Sequence, residues 1–284
     1  MSQFELHLYR TKFIKPAQKG LFDPQITPQA MFIEGIADRP SIESRRENVW
    51  RIGNIEYIDN TTGRFAIGRD ARAAQEKFDK DSRNFVRQIE QTGPYTYVYF
   101  DSRIGLLGIA KKTKLASDVE AIADKIKKLL SVSPLVMQNQ IDVRVDKILD
   151  PESFLKKIRS AHSIKKFTAS FTGPNPIDAD EIFQKPLAFY CQQVGGDHGS
   201  VTVQGASLNE DVVEAVAKST AATANKASAI IKVAAQSRST KVEFGEHAKK
   251  AFAEVDEKME DVMEAVLKAY REVQNDKVIR REKH

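Results

Sequence analysis

The chain is expected to be an α+β protein: a strand-rich N-terminal domain completed by a long C-terminal helix, plus a second domain built as a ferredoxin-like α/β sandwich. Three observations predict this. Apolar and polar residues alternate in short runs through the first 110 positions, beginning with Phe4, Leu6 and Leu8, the period of half-buried strands. From Ile141 the pattern becomes strand–helix–strand twice over, the order of a ferredoxin-like sandwich. Near the end, Phe252, Val255, Met259, Val262, Val266, Ala269 and Val273 step alternately by three and four, a heptad seam.

In order, Phe4 to Leu8 open a strand, with Glu5, His7 and Tyr9 on its other face. Residues 23 to 48 contain Pro24, Pro28 and Pro40, with room for a short helix from Pro28 to Gly35. Val49 to Ile58 reads as a strand, Asp59-Asn60-Thr61-Thr62-Gly63 as a hairpin turn, and Phe65 to Arg69 as the return strand. The spacing of Phe78, Phe85, Val86 and Ile89 predicts a helix from Asp70 to Gln91, ended by Gly93-Pro94. Tyr95 to Phe100 and Ile104 to Ala110 pair across a tight turn, and Tyr95, Tyr97 and Tyr99 share one strand face, fit for a packed helix or a ligand. Ser117 is placed to cap a helix carrying Val119, Ile122, Ala123, Ile126, Leu129 and Leu130 at helical spacing. Ser131-Val132-Ser133-Pro134 marks a boundary. One domain is then 1–137, completed by 245–284, and the other is 138–244.

The second domain begins with Ile141, Val143 and Val145 alternating with charged residues. Asp150 before Pro151 is a helix start: the carboxylate accepts an orphan N–H, and proline has none to leave unpaired. Phe154, Leu155 and Ile158 make that helix's apolar face, and Phe167, Ala169 and Phe171 return as a strand. Gly173-Pro174-Asn175-Pro176 is a turn, 180 to 193 an inserted helix, and Val201 to Val203 a strand. Asn209 caps a helix to about Thr223, before strands at Ala227 to Ala234 and Thr240 to Phe244. The closing helix spans about Glu246 to Gln274, its stripe widened by Met263, Leu267 and Tyr270. It can dock on its own chain or pair with a second copy. In the second case Phe252, Val255, Met259, Val262 and Val266 are the dimer contacts.

The 284 residues are 29% charged and 41% apolar with a net charge of +5, ordinary for a globular protein. A single cysteine, Cys191, excludes an intramolecular disulfide and a multi-cysteine zinc site. No stretch approaches eighteen uninterrupted apolar residues, and MSQFELHLYR lacks the apolar run of a signal peptide. A cytoplasmic location is expected.

The distribution of charge is more informative than its total. Residues 6–22, 153–177 and 215–242 contain no acid. The second run carries Lys156, Lys157, Arg159, Lys165 and Lys166; the third carries Lys218, Lys226, Lys232, Arg238 and Lys241. Clustered cations bind a phosphate backbone with salt-dependent affinity; solvated faces explain them equally well. Phe167 and Phe171 beside Lys165 and Lys166 are core residues or stacking platforms. Lys156, Lys157, Arg159, Lys165 and Lys166 are the first candidates for phosphate contact, with Lys218, Lys226 and Lys232 second. No base-reading motif is present, so recognition would be backbone-directed.

Catalytic signatures are missing: there is no HExxH, GxSxG, GxGxxG or Walker loop. Asp178, Asp180 and Glu181 could hold Mg²⁺ in a nuclease, or cap a helix. His198 beside Asp197 reads as a loop histidine, and Cys191 as a core residue. No cofactor is expected.

The order of elements resembles a known family. The strand FELHLYRTK with Tyr9-Arg10-Thr11-Lys12, the hairpins across DNTTGRF and YFDSRIGLLGIA, the helix of DPESFLKKI and the long closing helix look like the RexA proteins of the phage lambda Rex exclusion system and its prophage relatives. That resemblance implies a cytoplasmic, homodimeric, non-catalytic binder of double-stranded DNA with low sequence specificity. It implies a globular domain and a mobile second domain. It also implies a role in abortive anti-phage defence, in which a phage protein–DNA complex is the trigger and a small membrane protein the effector. A metal-dependent nuclease, or a protein-binding scaffold or antitoxin using the closing helix, are the alternatives.

Overall fold

In this computed structural model, residues 3–14, 26–44, 48–172, 180–181 and 183–274 are described. The fold is organised on β1 (Gln3–Ile14). Its alternation sends Leu6, Leu8, Arg10 and Lys12 to one face of a sheet and Tyr9, Thr11 and Phe13 to the other. On one side it pairs with β8 (Leu106–Ala110); on the other it meets β14 (Lys250–Glu254) along residues 3–7 and β9 (Asp142–Lys147) along residues 9–14. Beyond β8 follow β7 (Tyr95–Asp101), β4 (Thr62–Arg69), β3 (Val49–Tyr57) and β2 (Ser41–Glu43), all antiparallel. The two predicted hairpins are both present. Gly105 turns the second at φ +64°, where an added Cβ would stand 2.4 Å from the Thr11 carbonyl oxygen, so no other residue fits.

One face of this sheet is covered by α1 (Pro28–Ala37), α2 (Val119–Ser131) and α3 (Pro134–Gln138), around Phe13, Phe32, Phe65, Phe100 and Ile126. Asp118 caps α2 by accepting from Ala121 N, while the predicted cap Ser117 donates to Asp118. The other face is covered by α7 (Met259–Val273), then by α4 (Glu152–Arg159) and α6 (Glu210–Ala222), which share one hydrophobic core with Leu6, Leu8 and Leu106. Behind α4 and α6 lies a second antiparallel sheet in the order β11 (His198–Gln204), β10 (Ser163–Thr172), β12 (Ala227–Lys232), β13 (Thr240–Glu243). Layers of helix, sheet, helix and sheet result, with α5 (Gln184–Gln193) beside β10 and β11.

The α+β class holds, with three corrections inside it. The strand predicted at 141–146 exists as β9, but it pairs with β1 and not with the second sheet. The second sheet therefore holds a single split β–α–β unit, β11–α6–β12 around β10, with β13 added by a hairpin, and the full ferredoxin-like order is not reached.

The helix predicted at 70–91 is a hairpin of β5 (Ala71–Asp79) and β6 (Asn84–Thr92). Its turn is set by Asp79, which accepts from Asp81 N and Ser82 Oγ, and by Arg83 at φ +54°. The 78, 85, 86 spacing that imitates a helix arises because Phe78 and Phe85 face each other across the turn.

The closing helix is shorter than predicted. Residues 250–254 form edge strand β14, and α7 begins only at Met259. The five proposed dimer contacts are thereby divided. Val262 and Val266 are buried within the chain, Met259 is half-buried against the same core, and Phe252 and Val255 are exposed near the sheet edge. Heptad spacing here serves packing in cis: Val266 lies on Gly108, where an added Cβ would approach its Cγ2 to 2.7 Å.

Candidate nucleic-acid interface

Among the described residues the second sheet is covered on one side only. Along β10 the inward residues are Ile164, Phe167, Ala169 and Phe171, all buried, so Phe167 and Phe171 are core residues. The outward residues are Lys166, Thr168 and Ser170; Thr172, at the strand's end, is turned to Lys12 of β1. Register extends this into rows: Gln204–Lys166–Ile230–Lys241, then Thr202–Thr168–Ser228–Glu243, then Ser200–Ser170, with His198 opposite Thr172 at the end. Thr168 and Thr202 are joined at 2.9 Å. Lys232 continues the outward series of β12 from Ser228 and Ile230. Lys166, Lys232 and Lys241 thus stand at neighbouring outward positions, about 8–10 Å apart at Cα by strand geometry.

A β-bulge between Ile164 and Lys166 creates this corner. The extra residue, Lys165, is turned out of the ladder, and its Nζ donates to the Ala206 carbonyl. Lys226 sits at the far end, exposed, its backbone N–H and carbonyl both bound to Ser170 Oγ. Among the described residues the face has one acid, Glu243, which pairs with Lys241 at 3.0 Å, and no Phe, Tyr or Trp side chain. Hydroxyl and ammonium donors on a flat surface suit phosphate oxygens more than stacked bases.

The helical side differs. Lys156 and Lys157 are exposed on α4, which lies against β13. Arg159 and Lys218 do stand together, but around an acid. Arg159 donates to both oxygens of Glu214, at 2.9 and 2.6 Å, and reaches Glu152 at 3.4 Å; Lys218 meets Glu214 at 2.9 Å. Arg159 above all, with Lys218, draws the Glu214 carboxyl down to about 2. Among the described residues these two cations therefore stand paired with acids, unlike Lys156 and Lys157.

Two cations of the first acid-free run are unavailable for a different reason. Arg10 is fully buried and donates to the carbonyls of Ala222 and Ile104 and to Tyr270 Oη. Lys12 is buried too, with Nζ 3.0 Å from Thr172 Oγ1 and 3.6 Å from Asp146. Burial first, against the pull of Asp146, brings the Lys12 ammonium down to about 8. Thr172 donates in turn to Asn225, whose amide donates to Gln184 and Thr223. A polar seam therefore joins β1 to the second sheet and to α5.

Of the candidate metal ligands, Asp178 lies outside the described residues. Asp180 accepts from Phe183 N, Gln184 N and Ser219 Oγ at the start of α5, as a helix cap does, and Glu181 pairs with Lys185. Among the described residues no three His, Cys, Asp or Glu side chains are grouped to hold a metal ion. Tyr99 is buried; Tyr97 lies under Arg64 at 4.3 Å and Tyr95 beside Lys112 at 4.9 Å. Sequence reasoning passed over Lys241 as a site residue, along with the hydroxyl rows. Their signal was available: Thr168, Ser170 and Thr172 alternate with Phe167, Ala169 and Phe171.

Among the described residues no helix is long and apolar enough to cross a membrane. No protein-family model matches the chain, and no curated protein does.

Proposed function

We propose that the chain is a non-catalytic, cytoplasmic protein that binds double-stranded DNA through its backbone, by the open face of the second sheet. The observation that carries this reading is the convergence of Lys166, Lys232 and Lys241 with the rows of serine and threonine on a face whose one described acid is already paired. Such a surface offers donors without base-reading geometry, so affinity is general and falls with salt. Lys226, at the end of the face, and Lys156 and Lys157, on the adjoining helix, extend the contact. A part in anti-phage exclusion, with a phage protein–DNA complex as trigger and a membrane protein as effector, follows from the Rex resemblance. The capping role of Asp180 counts against a nuclease, and the burial of the α7 stripe counts against a scaffold that uses it.

The test is retardation of unrelated duplexes across a salt series. Lys166→Glu with Lys232→Glu and Lys241→Glu is expected to weaken binding at every sequence and to lower the salt slope by about 0.9 for each lost contact. Retention of the wild-type slope by this triple variant would overturn the assignment.

A further inference from the structure

The hairpin of β5 and β6 prolongs β4 and β7 beyond the first sheet, and among the described residues its two strands pair only with each other. Nine paired positions give an arm about 30 Å long. A lone two-stranded ribbon is marginal in water, and this one carries Phe78 and Phe85 at its end, 53% and 83% exposed, as a T-shaped pair 5.3 Å apart. One turn of the pleat nearer the body, on the same face, Glu76 stands opposite Arg87.

We infer that this face of the arm docks on the same face of the arm of a second copy. The argument is charge complementarity under two-fold symmetry. Lay two arms face to face and parallel, with the axis along their length. Each Phe78 then covers the partner's Phe85, and each Glu76 falls on the partner's Arg87. All four positions are satisfied by one operation, which is what an isologous contact requires. A polyanion fits the arm less well: residues 76–87 hold Glu76, Asp79 and Asp81 against Lys77, Lys80, Arg83 and Arg87. The two phenylalanines expose about 270 Å² per copy, taking about 200 Å² for a whole ring side chain. That is well under the area of a standard interface, so the association depends on concentration.

Sedimentation of the full chain over a concentration series tests this. Wild-type average mass should rise with concentration, and Phe85→Ser should move the rise at least tenfold higher. Glu76→Arg alone and Arg87→Glu alone should each do the same, because each sets like charges against one another. An equimolar mixture of those two variants should restore association, since only a contact between chains can pair them. The arm's isolation leaves the fold of each variant intact, which a thermal melt checks. A wild type that stays monomeric, association unmoved by Phe85→Ser, or failure of the mixture would each overturn the inference. So would a Phe85→Ser chain that self-associates normally but loses duplex binding, because the arm would then serve nucleic acid.

Discussion

Replacing Lys12 by methionine should stabilise the protein at neutral pH. The two side chains are similar in volume, so no cavity is opened. Lys12 lies between the first sheet and the second, its side chain 3% exposed, held by Thr172 and Asp146. In the unfolded chain its ammonium keeps the proton to about pH 10.5; in the folded chain, only to about 8. Between those values the unfolded state binds more protons, so stability rises with pH. Below about 8 both states carry the charge and the folded state bears the whole cost of burying it. That cost is about 3 kcal/mol at 1.36 kcal/mol for each tenfold change. Above about 10.5 it is gone. Lys12→Met should therefore exceed wild type by about 1–3 kcal/mol at pH 7, the lower end allowing for the lost bond to Thr172. The gap should close between pH 8 and 10.5. Urea midpoints at pH 6, 7, 9 and 10 measure it. A variant less stable than wild type at pH 7, or a gap that ignores pH, would refute the reasoning.

Further outcomes are expected at two other positions. Gly108→Ala drives a methyl group into Val266, which is buried and branched and cannot swing aside; it should cost about 1–3 kcal/mol. Adding Val266→Ala should cost less than the two losses summed, read from denaturation of the double-mutant set. Glu214→Gln should release Arg159 and Lys218 and raise duplex affinity severalfold at low salt, measured by retardation. Because the Glu214 carboxyl sits at about 2 against an ordinary 4.5, its contribution to stability is whole above 4.5 and lost as pH falls toward 2. Urea midpoints of the glutamine variant should fall less over that window.

Strands with one buried face were legible, because alternation records burial. Phe4, Leu6 and Leu8, the two hairpins of the first sheet and the Asn209 cap of α6 all follow from local pattern. The arm was not legible for the converse reason. At its end Phe78 and Phe85 are exposed, so burial imposes no period of two there, and chance helical spacing was left to read. β14 failed differently. Lys250–Glu254 contains two alanines, good helix formers, and falls in step with the heptad; pairing with β1 overrides it. That β9 is a strand could be read, but its partner could not, since pairing is a property of the whole sheet.

The same limit explains the charge runs. The acids that bind Arg159 are Glu152 and Glu214. They stand one residue before the runs 153–177 and 215–242 begin. A run free of acid along the chain is thus bordered by the acids that neutralise it in space. On α4 and α6 this closes a local network of opposite charges, whose field dies quickly in solvent. The sheet face has one such border acid, Glu243, which follows the run 215–242 directly. Glu243 takes Lys241 alone, and its row of the sheet sets Ser228, Thr168 and Thr202 beside it. Among the described residues Lys166 and Lys232 have no carboxylate partner, and they stand on a surface of hydroxyl donors. On the proposed reading, β10 supplies the central contact through Lys166, and α4 adds Lys156 and Lys157 beside it.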